Sequence, residues 1–376
     1  MTPALTNGAI AYTDERGQTG RSGYLRIRDY LRVGNSFSQL KVDSSLAHRA
    51  ANYLLRKKAI TSWYTTSSLL LEKRIWRSKD AISFCHFLWA DRDLGFLANL
   101  PGKNRLPLIG TFHLCPDDFQ SVLLRPKSLQ GLDAVILMSE TQRSSFINAG
   151  VSPEKLHVIH HGIDTQHFRP AVERSFSRDR FEIIHVGSYR RNFEDLVQVC
   201  SALRDDPTMH FTIIASKSVI HNIPRLPNLT AMSGVTDDAL LKAYQDSDCL
   251  LMTAEAATAN NAVLEAIACG LPVVAQEVGG IPEYTGKACA FLHEPGDISG
   301  IVASLKTLQS NRKTRHQMGV NARNRAIELD WRSVADRTMG VYERVLASRQ
   351  DKKAEMSDRS VRRSPSKPHA ICGREE

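Results

Sequence analysis

The sequence predicts an α/β fold of two doubly wound, Rossmann-like domains that face each other across a cleft. Three observations support this prediction. The chain has 376 residues, and domains of roughly 100 to 200 residues make two the natural number. Short apolar runs alternate with helix-length segments, as in buried parallel strands joined by crossover helices. The net charge of +9 is also divided unevenly along the chain, which favours two domains with different surfaces.

The division of charge gives the expected domain boundaries. Residues 1–170 carry 22 Lys and Arg against 14 Asp and Glu, residues 171–348 carry 19 against 21, and residues 349–376 carry 8 against 5. We expect an N-terminal Rossmann-like domain, a C-terminal Rossmann-like domain, a helix that packs back towards the N-terminal domain, and a disordered basic tail too poor in apolar residues to fold. These segments are residues 1–170, 171–330, 331–348 and 349–376.

Seven apolar runs are expected to form the strands of the two sheets. Three precede the polar residues 171–180, and four follow them. In chain order they are residues 107–113, 134–139, 156–162, 181–188, 210–216, 249–254 and 271–277.

The most informative segment follows the run at 249–254. A loop of small residues leads into a helix expected from about Asn261, and Gly270 ends that helix, with Pro272 close behind. The first N–H groups of such a helix have no helical partner, so Asn260 and Asn261 are candidates for an anion site. A plain helix cap is the alternative. Glu265 lies one turn into the helix. Its carboxylate either interacts favourably with the helix dipole or accepts hydrogen bonds from ribose hydroxyls.

This block, NNAVLEAIACGLPVVAQEVGGIPEY, resembles the donor-binding signature of glycosyltransferase family 4. The resemblance implies a GT-B fold and sugar transfer from a nucleotide donor with retention of anomeric configuration. It also implies that residues 1–170 form the acceptor-binding domain and residues 171–330 the donor-binding domain. Glu265 matches the second Glu of the family motif, which binds ribose. Ala257 stands where the first Glu, which approaches the donor sugar, is expected. The resemblance therefore leaves Glu255 as a substitute catalytic residue.

The resemblance extends over about residues 105–346. Arg190 and Arg191 match the positions that hold the donor diphosphate, and Gly234 and Val235 match those that lie against the nucleobase. Ala262 belongs to the donor-binding set together with Asn260, Asn261 and Glu265. The alternative is that the two arginines bind no ligand, because adjacent arginines in an arbitrary protein more often lie at a solvent-exposed corner.

Candidate residues in the N-terminal half are fewer. His113 follows the strand LIGTF and matches the family histidine that faces the donor sugar. Gly23 precedes a helix where the family has a glycine-rich loop near the donor phosphate and the acceptor. His86, in HFLWAD, is a further acceptor-side candidate together with Trp89, although a buried strand end is the alternative.

Basic and aromatic residues are interleaved between residues 47 and 79. Such a segment suits an anionic membrane surface, and a solvated basic face over a core helix is the alternative. No apolar run approaches the roughly 20 residues of a membrane span, and no signal peptide is visible. We expect a cytoplasmic protein, peripheral at the inner face of a membrane.

The expected function is retaining, metal-independent hexosyl transfer from a UDP- or GDP-linked sugar to a glycan or lipid-linked acceptor, without a further cofactor. Ala257 motivates the alternative of a sugar-nucleotide binding protein or partner subunit without turnover. The seven cysteines form no CxxC pair, which makes a zinc site or disulfide framework unlikely on spacing. A dehydrogenase is disfavoured because no GxGxxG follows an early strand. Nucleic-acid binding is disfavoured because no recognised module is present.

Overall fold

The computed structural model describes residues 3–12, 21–39, 46–100, 105–172 and 180–362. Their strands form two separate six-stranded sheets in which every neighbouring pair is parallel. Each sheet buries apolar side chains on both faces, because alternate residues of its strands belong to two different core clusters. This architecture confirms the predicted α/β fold.

The first sheet has the strand order β2-β1-β3-β4-β5-β6. Its strands are β1 Ala9–Tyr12, β2 Asn35–Ser38, β3 Cys85–Phe87, β4 Leu108–Phe112, β5 Ala134–Leu137 and β6 Leu156–Val158.

The second sheet has the order β12-β11-β10-β7-β8-β9. Its strands are β7 Phe181–Val186, β8 Met209–Ile214, β9 Leu229–Met232, β10 Cys249–Met252, β11 Val273–Gln276 and β12 Ala290–His293. In both sheets the order reverses direction near the middle, and the carboxyl ends of strands at such a point form a crevice in which open α/β folds bind ligands. All seven predicted strands are present. Each is shorter than its predicted run, and β8 begins one residue before it.

Helices cover the two sheets. They are α1 Pro3–Thr6, α2 Leu46–Arg56, α3 Thr66–Arg77, α4 Ala90–Asp93, α5 Phe119–Val122, α6 Arg143–Asn148, α7 Phe193–Ala202, α8 Lys217–Ile220, α9 Asp237–Gln245, α10 Asn261–Ala268, α11 Ile281–Thr285, α12 Ile298–Ser310, α13 Arg312–Glu328 and α14 Trp331–Arg362. Short 3-10 helices lie at Tyr24–Asp29, Leu97–Asn99, Pro116–Asp118, Pro126–Gly131, Glu140–Gln142 and Pro153–Lys155. Within the described residues, no helix is long and apolar enough to cross a membrane.

The last helix, α14, packs on the first sheet although it follows the second domain in sequence. Trp331 and Tyr342 are fully buried in the same cluster as Tyr24 and Ile109. The helix continues to Arg362. Residues 349–362 are therefore helical, in contrast to the disorder expected for them. Lys, Ala, Glu and Arg in this segment are strong helix formers, which explains the extension. Residues 363–376 lie outside the described residues.

Candidate active site

A cavity of about 410 Å³ opens between the carboxyl ends of the two sheets. Residues of both domains line it, so we call it the cleft cavity. The N-terminal domain supplies Gly23, Tyr24, Trp63, Trp89, Asp91, His113, Leu114, Cys115, Asp118, Met138 and His161, and the C-terminal domain supplies Tyr189, Arg191, Ala259, Asn260 and Asn261. Six residues singled out from the sequence therefore meet here: Gly23, Trp89, His113, Arg191, Asn260 and Asn261.

Arg191 is held in the loop after β7 by neutral acceptors. Its Nε donates to Val186 O at 3.1 Å, its Nη1 to Tyr189 O at 3.0 Å, and its Nη2 to Asn260 Oδ1 at 3.1 Å. Among the described residues, no carboxylate lies within salt-bridge distance of this guanidinium. Burial lowers the pKa of Arg191, yet an arginine remains charged in a protein. The cleft therefore contains a fixed positive charge to which the described residues supply no counter-ion.

Asn260 links that charge to the start of α10. The side chain is 3% exposed, and its Oδ1 caps the helix by accepting the N–H of Val263 at 3.3 Å. Its Nδ2 is buried and has no hydrogen-bond partner in the part of the chain that the structure describes. Asn261, the first residue of α10, is exposed at the cavity. An unpartnered donor beside a helix start is suited to an anion.

Arg190 is paired across the cleft. Its Nη2 lies 2.5 Å from Asp118 Oδ1, which belongs to the N-terminal domain. Arg190 is also the only non-glycine residue with positive φ in the described ranges, at 54°. A left-handed backbone costs a side-chain-bearing residue about 1–2 kcal/mol, so the surrounding contacts hold the loop in this form. Arg190 does not itself line the cleft cavity.

Glu265 is buried and already has two partners. Tyr244 Oη donates to its Oε2 at 2.7 Å, and Ser22 Oγ of the N-terminal domain donates to its Oε1. Burial raises the pKa of Glu265 to about 7, while these two hydroxyl donors act in the opposite direction. The carboxylate that the family resemblance assigns to ribose thus holds a serine hydroxyl from across the cleft.

His113 forms the N-terminal wall of the cleft cavity. It stacks on Trp89 with ring centroids 3.7 Å apart and meets Tyr24 edge-on at 4.7 Å. Its Nε2 lies 2.9 Å from Leu88 O, and a carbonyl can only accept, so the network assigns the proton to Nε2. Burial lowers the pKa of His113 to about 3. The imidazole is therefore neutral near pH 7, and its Nδ1 is an acceptor.

Asp91 lies beside His113 and was not singled out from the sequence. Its Oδ2 accepts the N–H groups of His113 at 2.9 Å and Leu114 at 3.0 Å. Its Oδ1 is buried without a partner among the described residues, as is Trp89 Nε1. Burial raises the pKa of Asp91 to about 7. The available sequence signal for Asp91 was its position shortly after the carboxyl end of β3, where parallel sheets bind ligands.

The structure corrects the assignment of His86 to the acceptor side. The side chain is fully buried, with Nδ1 2.7 Å from Tyr342 Oη and Nε2 2.7 Å from Thr111 Oγ1. Burial lowers its pKa to about 3. Because α14 covers this face of β3, His86 cannot reach a ligand and has a structural role.

The other predicted residues lie around the cavity rather than in its lining. Glu255 is exposed, and its contact to the loop is through its backbone N–H, 3.0 Å from Arg190 O. A catalytic role for its side chain therefore has no geometric support. Ala262 is buried in the first turn of α10. Gly234 is exposed with φ of 70°, and Val235 packs against the C-terminal core.

Ala257, the position of the missing family Glu, lies under the glycine loop after β11. Its carbonyl accepts the N–H of Gly280 at 2.9 Å. A Cβ added at Gly279, whose φ is 53°, would meet that carbonyl oxygen at 1.9 Å. Only glycine permits this close approach. The segment before α10 and the glycine loop thus form one packed unit.

Glu283 and Tyr284 on α11 bind the C-terminal domain to the N-terminal one. Glu283 accepts Ser139 Oγ at 2.6 Å and the N–H of Glu140 at 3.0 Å, and it lies 2.9 Å from His160 Nε2. The Tyr284 hydroxyl donates to Met138 O and accepts the N–H of His161. These contacts fix the two walls of the cleft relative to each other.

Two family models match the chain, one for each domain. Residues 46–167 match the model described as Glycosyltransferase Family 4, and residues 180–311 match the one described as Glycosyl transferases group 1. Sulfoquinovosyl transferase SQD2 of Arabidopsis thaliana is 30% identical over 54% of this chain and 42% of its own length. The chain spans about half the length of the first curated relatives that it matches.

Solved structures show the same architecture. Sucrose-phosphate synthase of Thermosynechococcus elongatus has a TM-score of 0.68 at 15% identity and covers 91% of this chain and 100% of its own. HepE of Anabaena in complex with UDP has a TM-score of 0.65 at 16% identity, covering 89% and 99%. At these identities the likeness shows the GT-B fold. Since the two family models together match more than half of the chain, it belongs to glycosyltransferase family 4, within the group 1 glycosyl transferases.

Proposed function

We propose that the protein transfers a sugar from a UDP- or GDP-linked donor to a glycan or lipid-linked acceptor, with retention of anomeric configuration. The carrying observation is Arg191, a partly buried cation beside the start of α10 that has no carboxylate partner among the described residues. A buried charge is costly unless it is paired. A diphosphate at this point would supply the missing counter-ion and accept from the free Asn260 Nδ2.

The same groups account for the proposed reaction. As the bond from the anomeric carbon to the diphosphate breaks, negative charge grows on the leaving oxygen. Arg191, the first N–H groups of α10, and Arg190 once released from Asp118 would stabilise that charge. In the retaining reaction, the acceptor hydroxyl attacks on the face from which the diphosphate departs and gives its proton to the departing phosphate oxygen. We propose that these fixed charges serve without a metal ion, so transfer should persist in EDTA.

Relatives support a nucleotide donor. HepE was solved with UDP and with UDP-glucose. In our proposal Glu265 binds the ribose hydroxyls of such a donor after exchanging its Ser22 partner. The glycine loop at Gly234 lies at the edge of the second sheet, where the nucleobase is proposed to bind.

The proposal is tested by calorimetric titration of UDP and GDP into the wild type, Arg191→Ala and Arg190→Ala. Losing one charged hydrogen bond, about 1.5–3 kcal/mol, should weaken binding by about ten- to hundred-fold. Arg225→Ala, an exposed arginine of the same domain, is the control. Unchanged nucleotide affinity in both cleft variants would reject the diphosphate site.

A binding protein without turnover is the second candidate, and Ala257 is the observation that favours it. Incubating the protein with UDP-glucose and GDP-mannose separates the two candidates. Hydrolysis or transfer, with the anomer of the product read by NMR, supports the enzyme and tests retention. Tight nucleotide binding with no turnover on a broad set of acceptors supports the binding protein.

We propose that α2, α3 and the turn between them contact an anionic membrane surface from the inner face. Tyr53 and Leu54 are 62% and 63% exposed, and Trp63 and Trp76 are also exposed. Their neighbours Arg56, Lys57, Lys58, Lys73 and Arg77 are exposed cations. Because Trp63 also lines the cleft cavity, this surface would place a lipid-linked acceptor beside the active site.

Sedimentation with vesicles tests this surface. Phosphatidylcholine vesicles containing phosphatidylserine should bind the wild type, and vesicles of phosphatidylcholine alone should bind it less. Leu54→Ser should weaken binding by roughly ten-fold or more, because burying a leucine contributes about 1.5–3 kcal/mol. Ile147→Ser, an exposed apolar residue on α6, is the matched control. Equal binding to both kinds of vesicle would refute the contact.

A further inference from the structure

A second cavity, of about 670 Å³, lies in the C-terminal domain and shares no lining residue with the cleft cavity. We call it the α13 cavity. Its walls are Pro170 at the end of the interdomain segment, Cys269 and Gly270 after α10, and one face of α13. Helix α10 thus begins at the cleft and ends beside this cavity.

The lining of the α13 cavity is basic. Four cations and a histidine contribute to it, and none of its lining residues is acidic: the five are Arg312, Lys313, Arg315, His316 and Arg323. The sequence of α13 contains no Asp or Glu before its last residue, Glu328. Lys313 and His316 are exposed at the cavity. Like charges gathered around one cavity repel one another, and a bound anion removes that cost.

Two of the arginines are fixed by the fold. Arg323 donates to Phe168 O at 2.9 Å and Ala268 O at 2.7 Å through Nη1, and to Thr165 O at 3.0 Å through Nη2. These acceptors are neutral, and no carboxylate of the described residues lies within salt-bridge distance of Arg323. Arg315 donates to Leu308 O at 2.5 Å and Gln309 O at 3.1 Å, and its Nε lies 3.8 Å from Asp248 Oδ1. The positive charge on the wall is therefore held in place by backbone contacts.

The cavity also has uncharged surface and room for more than an inorganic ion. Pro170 and Val320 supply apolar wall, and Gly270 and Gly319 expose backbone. Its volume falls within the roughly 300–1,000 Å³ of small-molecule sites. An anionic group joined to an organic body matches this combination better than a free anion does.

We propose that the α13 cavity is a binding site for a small organic phosphate, separate from the donor site. Phosphate is the anion that several arginine and lysine donors recognise together. The proposal does not depend on the transfer reaction, because no cleft residue takes part in it.

Calorimetric titration of the full chain with ribose 5-phosphate, inorganic phosphate and ribose tests the proposal. Ribose 5-phosphate should bind, inorganic phosphate should bind more weakly, and ribose should not bind. The double variant Lys313→Ala/His316→Ala should weaken binding of ribose 5-phosphate by about ten-fold or more, through loss of charged hydrogen bonds. Lys217→Ala/His221→Ala removes the same two residue types from an exposed position in the same domain and should have no effect.

The variant Arg191→Ala distinguishes phosphate binding in the α13 cavity from phosphate binding in the cleft. If the α13 cavity binds the phosphate, this variant retains the affinity that Lys313→Ala/His316→Ala loses. Binding that is lost in Arg191→Ala and intact in the cavity variant would assign the ligand to the cleft and overturn the proposal. Absence of binding by either phosphate to the wild type would overturn it as well, while the UDP titration would still decide the donor site.

Discussion

Glu265→Gln should make the protein less sensitive to pH between about 5 and 8. Glu265 is 5% exposed, and burial raises its pKa from 4.5 to about 7. Glutamine has nearly the same shape and imitates the neutral form of the acid. The variant therefore removes the cost of ionising a buried carboxyl. It keeps one oxygen acceptor for one of the Ser22 and Tyr244 hydroxyls, and its amide N–H groups can donate to the other hydroxyl.

The size and sign of the effect follow from proton linkage. Below about pH 4.5 the carboxyl is protonated in both folded and unfolded chains, so the ionisation contributes nothing against folding. Between about 4.5 and 7 the folded chain holds the proton more tightly, and stability falls as pH rises. This rise in the pKa of Glu265 corresponds to a loss of about 3 kcal/mol in the free energy of unfolding, and the loss is complete above pH 7. The variant should lack this loss.

Thermal and urea unfolding at pH 5 and pH 8 measure the effect. The stability of Glu265→Gln relative to wild type should increase by about 3 kcal/mol over this interval. Asp91 is present in both proteins, so its own titration cancels in the difference. Glu255→Gln, which removes an exposed carboxylate, controls for the change in net charge. A difference between variant and wild type that is the same at both pH values would refute the reasoning.

Three further predictions concern the cleft. Ser22→Ala should raise UDP affinity a few-fold in calorimetry because it frees an oxygen of Glu265, and reduced affinity would contradict a competing role for Ser22. Asp91→Asn should lower the rate of transfer and raise KM for the acceptor while UDP affinity is unchanged, since Asp91 Oδ1 is an unpartnered acceptor in the N-terminal wall; loss of UDP binding would place it on the donor side instead. Glu283→Gln should lower stability by about 1–3 kcal/mol, because three partners in the N-terminal domain lose a charged acceptor, and an unchanged calorimetric Tm would show that the domains do not depend on it.

The parts of the fold that the sequence predicted correctly are those with local signals. Buried parallel strands are continuous apolar runs, and seven such runs are strands in the structure. Strands β1, β2, β3, β9 and β12 were not among these runs, and β2 is the polar sequence NSFS, which gives no apolar signal. The start of α10 was correct because an Asn cap and a terminal glycine mark both of its ends.

Contacts between distant segments had no such signal. His86 was selected because polar residues near strand ends often lie at a binding site. In the structure, α14 covers it. The position of a helix more than two hundred residues away cannot be predicted from the local sequence pattern around His86. The same holds for Ser22 on Glu265, 243 residues apart. Asp91 was missed for a related reason: its importance lies in a lone unpartnered oxygen, which only the packed structure reveals.

The cleft residues proposed to bind the donor differ in how many hydrogen-bond or ion-pair partners they already have in this structure. This difference predicts which of them contribute most to donor binding. Arg190 has a carboxylate partner and Glu265 has two hydroxyl donors, so a donor must replace existing contacts to use them and gains only the difference. Among the described residues, Arg191 has neutral acceptors but no counter-ion, and Asn260 Nδ2 has no hydrogen-bond partner. Binding energy is therefore concentrated on Arg191 and Asn260, whereas Arg190 and Glu265 couple nucleotide binding to two of the contacts between the domains, those with Asp118 and Ser22. On this reasoning, Arg191→Ala should weaken UDP binding more than Arg190→Ala does.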